Sequence, residues 1–225
     1  MRDHQFPRYS FYGFFLTLIA LLLLPPFFGN GFGLTHKLIW SASLLACLWL
    51  ITHNRLMLLL GSVLALPCLM VNWELFLEGK AWVAAAYNFF TIFFLLFICM
   101  HLLRFVIVAK KVNSDLIFAS LCAYLLVALV WSRIYILIEL FVPGSFSIDA
   151  TLFQSGEEIA ALFTYYSFVT ISTLGYGDVA PITQLARSWA AMEAILGQLY
   201  LAIVVARLMG LYIGSELTKN KLSDE

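Results

Sequence analysis

The sequence predicts an all-α membrane protein with six transmembrane helices and a re-entrant segment between the fifth and the sixth. Three observations carry the prediction: the composition, the lengths of the apolar runs, and the polar character of the one long connection. Of the 225 residues, 63% are hydrophobic, 16% aromatic and 12% charged, and the mean hydropathy is +0.94. Average soluble domains carry about 25% charged residues, so this composition excludes a water-soluble enzyme. Lys+Arg number 13 and Asp+Glu 13, which leaves no basic face for nucleic acid and no acidic tail for a cationic partner. About 20 apolar residues cross a bilayer as a helix. The hydrophobic content therefore suits six spans with short connections and no separate soluble domain.

Apolar runs extend over Phe11–Pro25, Leu38–Ile51, Leu56–Val71, Trp82–Leu103, Leu116–Phe141 and Ala186–Tyr212. The first is longer than a signal-peptide core and ends in Pro25-Pro26-Phe27-Phe28 without a small-residue cleavage site, so it is expected to remain as a helix. Basic residues set the orientation, because cytoplasmic segments retain Lys and Arg. With the N-terminus inside, the inner segments hold Arg2, Arg8, Arg55, Arg104, Lys110, Lys111, Lys219 and Lys221, with Arg207 near the last exit. The outer ones hold Lys37, Lys80 and Arg187 together with Glu74, Glu78, Asp149, Glu157, Glu158 and Asp178. A multi-pass protein of the cell membrane with both termini cytoplasmic is expected.

Cys47, Cys68, Cys99 and Cys122 each stand singly in an apolar run, without CxxC or metal-knuckle spacing, and read as buried small hydrophobes. His4, His36, His53 and His101 show no ligand spacing, so no metal cluster or organic cofactor is expected. Trp82 reads as an interfacial anchor.

The long connection, from Val142 to Leu185, falls on the outside. It opens with Pro143-Gly144-Ser145 and contains a short apolar segment, Ile159–Thr170, too short to cross. Such a segment dips in and returns, and its backbone is tolerable at membrane depth only where protein covers it or it lines water. It ends in Thr173-Leu174-Gly175-Tyr176-Gly177-Asp178, preceded by Ser167-Phe168-Val169-Thr170-Ile171-Ser172. A run of backbone carbonyls aimed at one axis can replace the water around a dehydrating K⁺ without a fixed negative charge that would trap it. Glycine permits the backbone this requires, since alternate residues must adopt conformations closed to side chains with a Cβ; Gly175 and Gly177 occupy such positions.

This hexapeptide resembles the potassium channel signature T-x-G-Y-G-D. The resemblance extends over Leu121–Tyr212, including Tyr124-Leu125-Leu126, Tyr135 and Glu139-Leu140 before the loop, and Glu193-Ala194-Ile195-Leu196-Gly197-Gln198 after it. It implies a selectivity filter in which Thr173, Leu174, Gly175 and Tyr176 bind K⁺ through their oxygens, with Gly177 completing the strand. Tyr176 is expected to pack on the pore-helix aromatics Tyr165 and Tyr166, Asp178 to sit at the external mouth, and Glu139 to support the filter backbone. Leu174 stands where the family most often has Val or Ile, and Tyr165 and Tyr166 where many members carry tryptophan. One strand cannot encircle an ion and the signature occurs once, so the resemblance implies a homotetramer around a central pore.

The resemblance divides the chain into a four-helix membrane domain, 1–112, in the position of a voltage sensor, and a pore domain, 113–225. The fourth run contains only Arg104, with Lys110 and Lys111 beyond it. One elementary charge is worth about 2.3 kcal/mol per 100 mV, so little or no voltage dependence is expected. Gly197 reads either as an inner-helix hinge, by resemblance, or as a close-packing position. Arg133 and Glu193 each lie nine residues inside an external boundary, at about 13–14 Å depth for about 1.5 Å per residue. Equal depth makes a buried ion pair between them, within or between subunits, a candidate, against a competing placement in which Glu139 pairs with the filter backbone and Arg133 snorkels outward.

A passive K⁺-selective channel, in contact with K⁺ and lipid and without a cytoplasmic ligand-binding domain in this chain, is the leading reading. A weakly selective cation channel and a non-conducting regulatory subunit with the same fold are its alternatives.

Overall fold

The computed structural model describes residues 10–24, 32–50, 55–73, 81–148 and 156–223. The calls on Arg2, Arg8, His4, Pro25–Phe28, His53, Glu74, Glu78, Lys80 and Asp149 lie outside the described residues, and so do the side chains of His36, Glu157, Lys219 and Lys221. Seven helices are present among the described residues: α1 (Ser10–Leu23), α2 (Phe32–Leu50), α3 (Arg55–Asn72), α4 (Ala81–Val108), α5 (Ser114–Phe141), α6 (Gly156–Ile171) and α7 (Gln184–Ser223). Each apolar run has become a helix, and α6 covers the short apolar segment of the long connection.

Four of the helices, α3, α4, α5 and α7, are long and apolar enough to cross a membrane. The expectation of six full-length spans is modified at α1 and α2. At about 1.5 Å per residue, α1 is about 21 Å long, short of the ~30 Å hydrocarbon core. The apolar part of α2, Lys37–Leu50, is equally short. The last run also differs: α7 continues past Tyr212 to Ser223, because residues such as Glu216 and Leu217 are good helix formers although they add little to an apolar signal.

The centre of the structure is α5, which packs against α1, α4, α6 and α7. Its start is fixed by Asn113, whose side chain accepts from the Leu116 N–H at 2.9 Å and so satisfies one of the unpaired amides of the first turn. The N-terminal half of α5, through Leu116, Ala119, Cys122, Ala123 and Leu126, shares one apolar core with α1 to α4. The other half, through Trp131, Tyr135 and Ile138, shares a second core with Phe146, Phe163, Tyr166, Val179 and Ala186. That second core is strongly aromatic. Tyr135 meets Phe146, Phe163 and Tyr166 with ring centroids 5.4, 6.5 and 5.0 Å away, an arrangement that adds edge-to-face attraction to apolar burial. It clamps α6 against α5. All four cysteines are free and buried, and Trp82 is exposed. By contrast, α7 is mostly exposed over its described side chains, with Ala186, Glu193 and Gly197 buried.

Candidate functional site

Residues 172–178 leave the end of α6 as a strand-like segment exposed in the single chain. Its start is tied to the helix it leaves: Thr173 N donates to Thr170 O at 2.9 Å, and Leu174 N and Gly175 N both donate to Val169 O, at 3.0 and 3.2 Å. Positive φ occurs at Thr173 (60°), Gly175 (59°) and Gly177 (80°), and not at Leu174 or Tyr176 between them. Positive and non-positive φ therefore alternate. This alternation turns successive peptide groups to a common side instead of the opposite sides of a β-strand. The two glycines meet the requirement without strain, whereas Thr173 is a β-branched residue in a region that costs about 1–3 kcal/mol. That the threonine joins the alternation is a feature its residue type does not announce. Gln198 Nε2 on α7 reaches its hydroxyl at 3.4 Å.

The supports differ in part from expectation. Tyr165 donates to Asp178 Oδ2 at 2.6 Å, and this hydrogen bond holds the Asp178 carboxyl below the usual carboxylate range. A lowered value means that the tie is intact at neutral pH and is lost only as pH falls through that value. Tyr166 turns inward to Tyr135 and Phe146. Tyr176 stacks on neither within the chain and is 67% exposed, as Leu174 is 55% exposed. Glu139 accepts from Gly144 N at 2.7 Å and Phe146 N at 3.2 Å, so it braces the turn after α5 and touches no peptide of 172–178. The turn in turn pairs with the loop leading into α7, through Ser147 N to Ala180 O at 2.8 Å and Ile182 N to Ser145 O at 2.7 Å. Glu139 thus acts on 172–178 at one remove.

Arg133 and Glu193 do not pair within the chain. Arg133, 3% exposed, lies over the Trp40 ring at 4.6 Å and the Tyr87 ring at 5.8 Å, facing α2 and α4, where the aromatic faces attract the cation. Glu193 accepts from the Tyr135 hydroxyl and has its other carboxyl oxygen 2.5 Å from Ser167 Oγ. Their azimuths on the helices keep them apart. Residues 133 and 135 of α5 point about 200° apart at about 100° per residue, so the helix separates the two charges.

Gly197 lies where α7 crosses the end of α6. A Cβ built there would stand 2.5 Å from the Ile171 carbonyl oxygen and 2.6 Å from its Cγ1. The helix runs through this position unbroken, so the glycine serves close approach here. The same Ile171 carbonyl accepts from the Tyr124 hydroxyl at 3.2 Å. Two ties were invisible in the sequence. Tyr200 donates to Ser120 O at 2.6 Å. Arg207 donates through Nε to Val106 O at 2.9 Å, and through Nη2 to Ile107 O and to Ala109 O, the last at 3.0 Å. It thereby caps the carbonyls at the end of α4, which have no partner in their own helix.

The family model described as ion channel matches residues 121–213, from the second turn of α5 through α6 and the alternating strand to well along α7. That stretch is similar to the ion channel family. No curated protein and no solved structure matches the chain. The matched domain supports ion channel activity in a membrane setting, and the ion channel family is not one of enzymes.

Proposed function

We propose that the protein is a passive, K⁺-selective channel of the cell membrane, in which 172–178 from four identical chains forms the selectivity filter. The observation that carries this reading is the alternation of φ at Thr173, Gly175 and Gly177 in an exposed segment. Four such strands around an axis provide stacked rings of peptide oxygens that replace water around K⁺. The carbonyls of Thr173, Leu174, Gly175 and Tyr176 and the Thr173 hydroxyl are the ligands in this reading. α6 is the pore helix, with its partially negative C-terminus toward the ion, and α7 is the inner helix. The uncovered side chains of Leu174 and Tyr176 and the bare face of α7 favour assembly, because neighbouring copies would cover them.

In this reading α1 to α4 form a separate membrane domain, 1–112, before the pore domain, 113–225. All helices but α6 cross, the two short ones by local thinning of the bilayer, and both termini are cytoplasmic. Arg104 is the one charged residue of α4, so conductance is expected to change little with voltage.

The test is the reversal potential of the purified full chain in a planar bilayer with K⁺ on one side and Na⁺ on the other. A potential displaced strongly toward the K⁺ equilibrium value is expected. A potential near zero would make it a weakly selective cation channel, and no current at all would leave a non-conducting subunit.

A further inference from the structure

Glu193 is fully buried, 0% exposed, between α5 and α6. Three close oxygen–oxygen contacts meet there. The Tyr135 hydroxyl touches Glu193 Oε2, Ser167 Oγ lies 2.5 Å from Glu193 Oε1, and the same Ser167 Oγ lies 2.7 Å from the carbonyl oxygen of Ala128. Each contact needs a hydrogen, or it sets lone pairs against each other in a medium of low polarity. Tyr135 has one hydroxyl hydrogen and Ser167 has one, while a carbonyl and a carboxylate have none. Two hydrogens cannot fill three contacts.

We propose that Glu193 is a positioning residue that works with its carboxyl protonated, and that the proton it holds pins α6, and the strand that follows it, between α5 and α7. One arrangement then satisfies every contact. Tyr135 donates to Oε2, the Glu193 carboxyl donates from Oε1 to Ser167, and Ser167 donates to Ala128 across to α5. The surroundings agree. The titratable groups facing Glu193 are the phenols of Tyr135, Tyr166 and Tyr124. Among the described residues no cation pairs with it, since Arg133 is held at the Trp40 ring. A buried carboxylate without a cation is costly, and a neutral carboxyl with both oxygens bonded is not.

The pin bears on the filter only if the channel reading holds, so the test is read on the full-length protein without ion flow. In the infrared difference spectrum between wild type and Glu193→Gln at neutral pH, the wild type is expected to show the carbonyl stretch of a protonated carboxyl. A difference confined to the carboxylate stretches would overturn the proposal. The glutamine amide can donate to Ser167 and accept from Tyr135, so Glu193→Gln is expected to keep the wild-type unfolding temperature, while Glu193→Leu lowers it or fails to fold. A glutamine variant as destabilised as the leucine one would also overturn it. Absence of K⁺ current in the wild type would count against the channel reading alone and would leave both of these results to decide the proton.

Discussion

Gly197→Ala is expected to reduce K⁺ flux by about tenfold or more, the equivalent of about 1.4 kcal/mol. The added methyl group would stand 2.5 Å from the Ile171 carbonyl oxygen, a backbone atom that cannot rotate away, and Ile171 directly precedes the exposed strand. Overpacking of this kind costs about 1–3 kcal/mol, against a gain of about 1 kcal/mol from the better helix propensity of alanine. The clash exceeds the gain, and relief comes by moving the peptide whose oxygen Tyr124 also holds. Gly210 and Gly214 lie on the same helix with nothing of their own chain within 4 Å of a built Cβ, so alanine there meets no such clash with the end of α6. Isotope uptake into liposomes compares the three, and full flux in Gly197→Ala would show that this close approach has no bearing on conduction.

The second large effect is expected at Arg207. Its guanidinium bonds three carbonyls at the end of α4, and hydrogen bonds from a charged donor contribute about 1.5–3 kcal/mol when shielded. The site is partly exposed, so Arg207→Ala is expected to destabilise the detergent-solubilised protein by about 2 kcal/mol in all, well below what three shielded bonds would contribute. Arg207→Lys should recover only part of the loss, because an ammonium cannot span several acceptors with a planar fork. Chemical denaturation followed by tryptophan fluorescence measures both, and an unchanged midpoint in Arg207→Ala would remove the tie between α4 and α7 from the account.

The helices were legible because a membrane span is a property of many residues at once, and errors at single positions cancel. Hence Leu116–Phe141 became α5 within two residues. The exposed strand was legible for the opposite reason: an alternating left-handed backbone admits few residue types, and Gly175 and Gly177 declare it. Thr173 shares their φ and does not declare it, since the neighbouring bonds to Thr170 and Val169, and not its side chain, impose the conformation. The Arg133–Glu193 pairing within one chain failed on rotation about α5, which depth alone does not fix. Arg207 was beyond reach because its partners are carbonyls about a hundred residues away, and carbonyls have no residue type. The 14 residues of α1 show the remaining gap, where an apolar run sets a helix but its neighbours decide how that helix meets the membrane.

The measurement that bears most directly on the strand as the path of the ion is K⁺ flux through liposomes containing either the wild-type chain or Gly175→Asp. At φ 59° a side chain is strained, and an aspartate there adds a fixed charge beside the peptide oxygens. Flux in the wild type and its loss in the variant are predicted; equal flux in both would contradict the assignment of residues 172–178 to the pore.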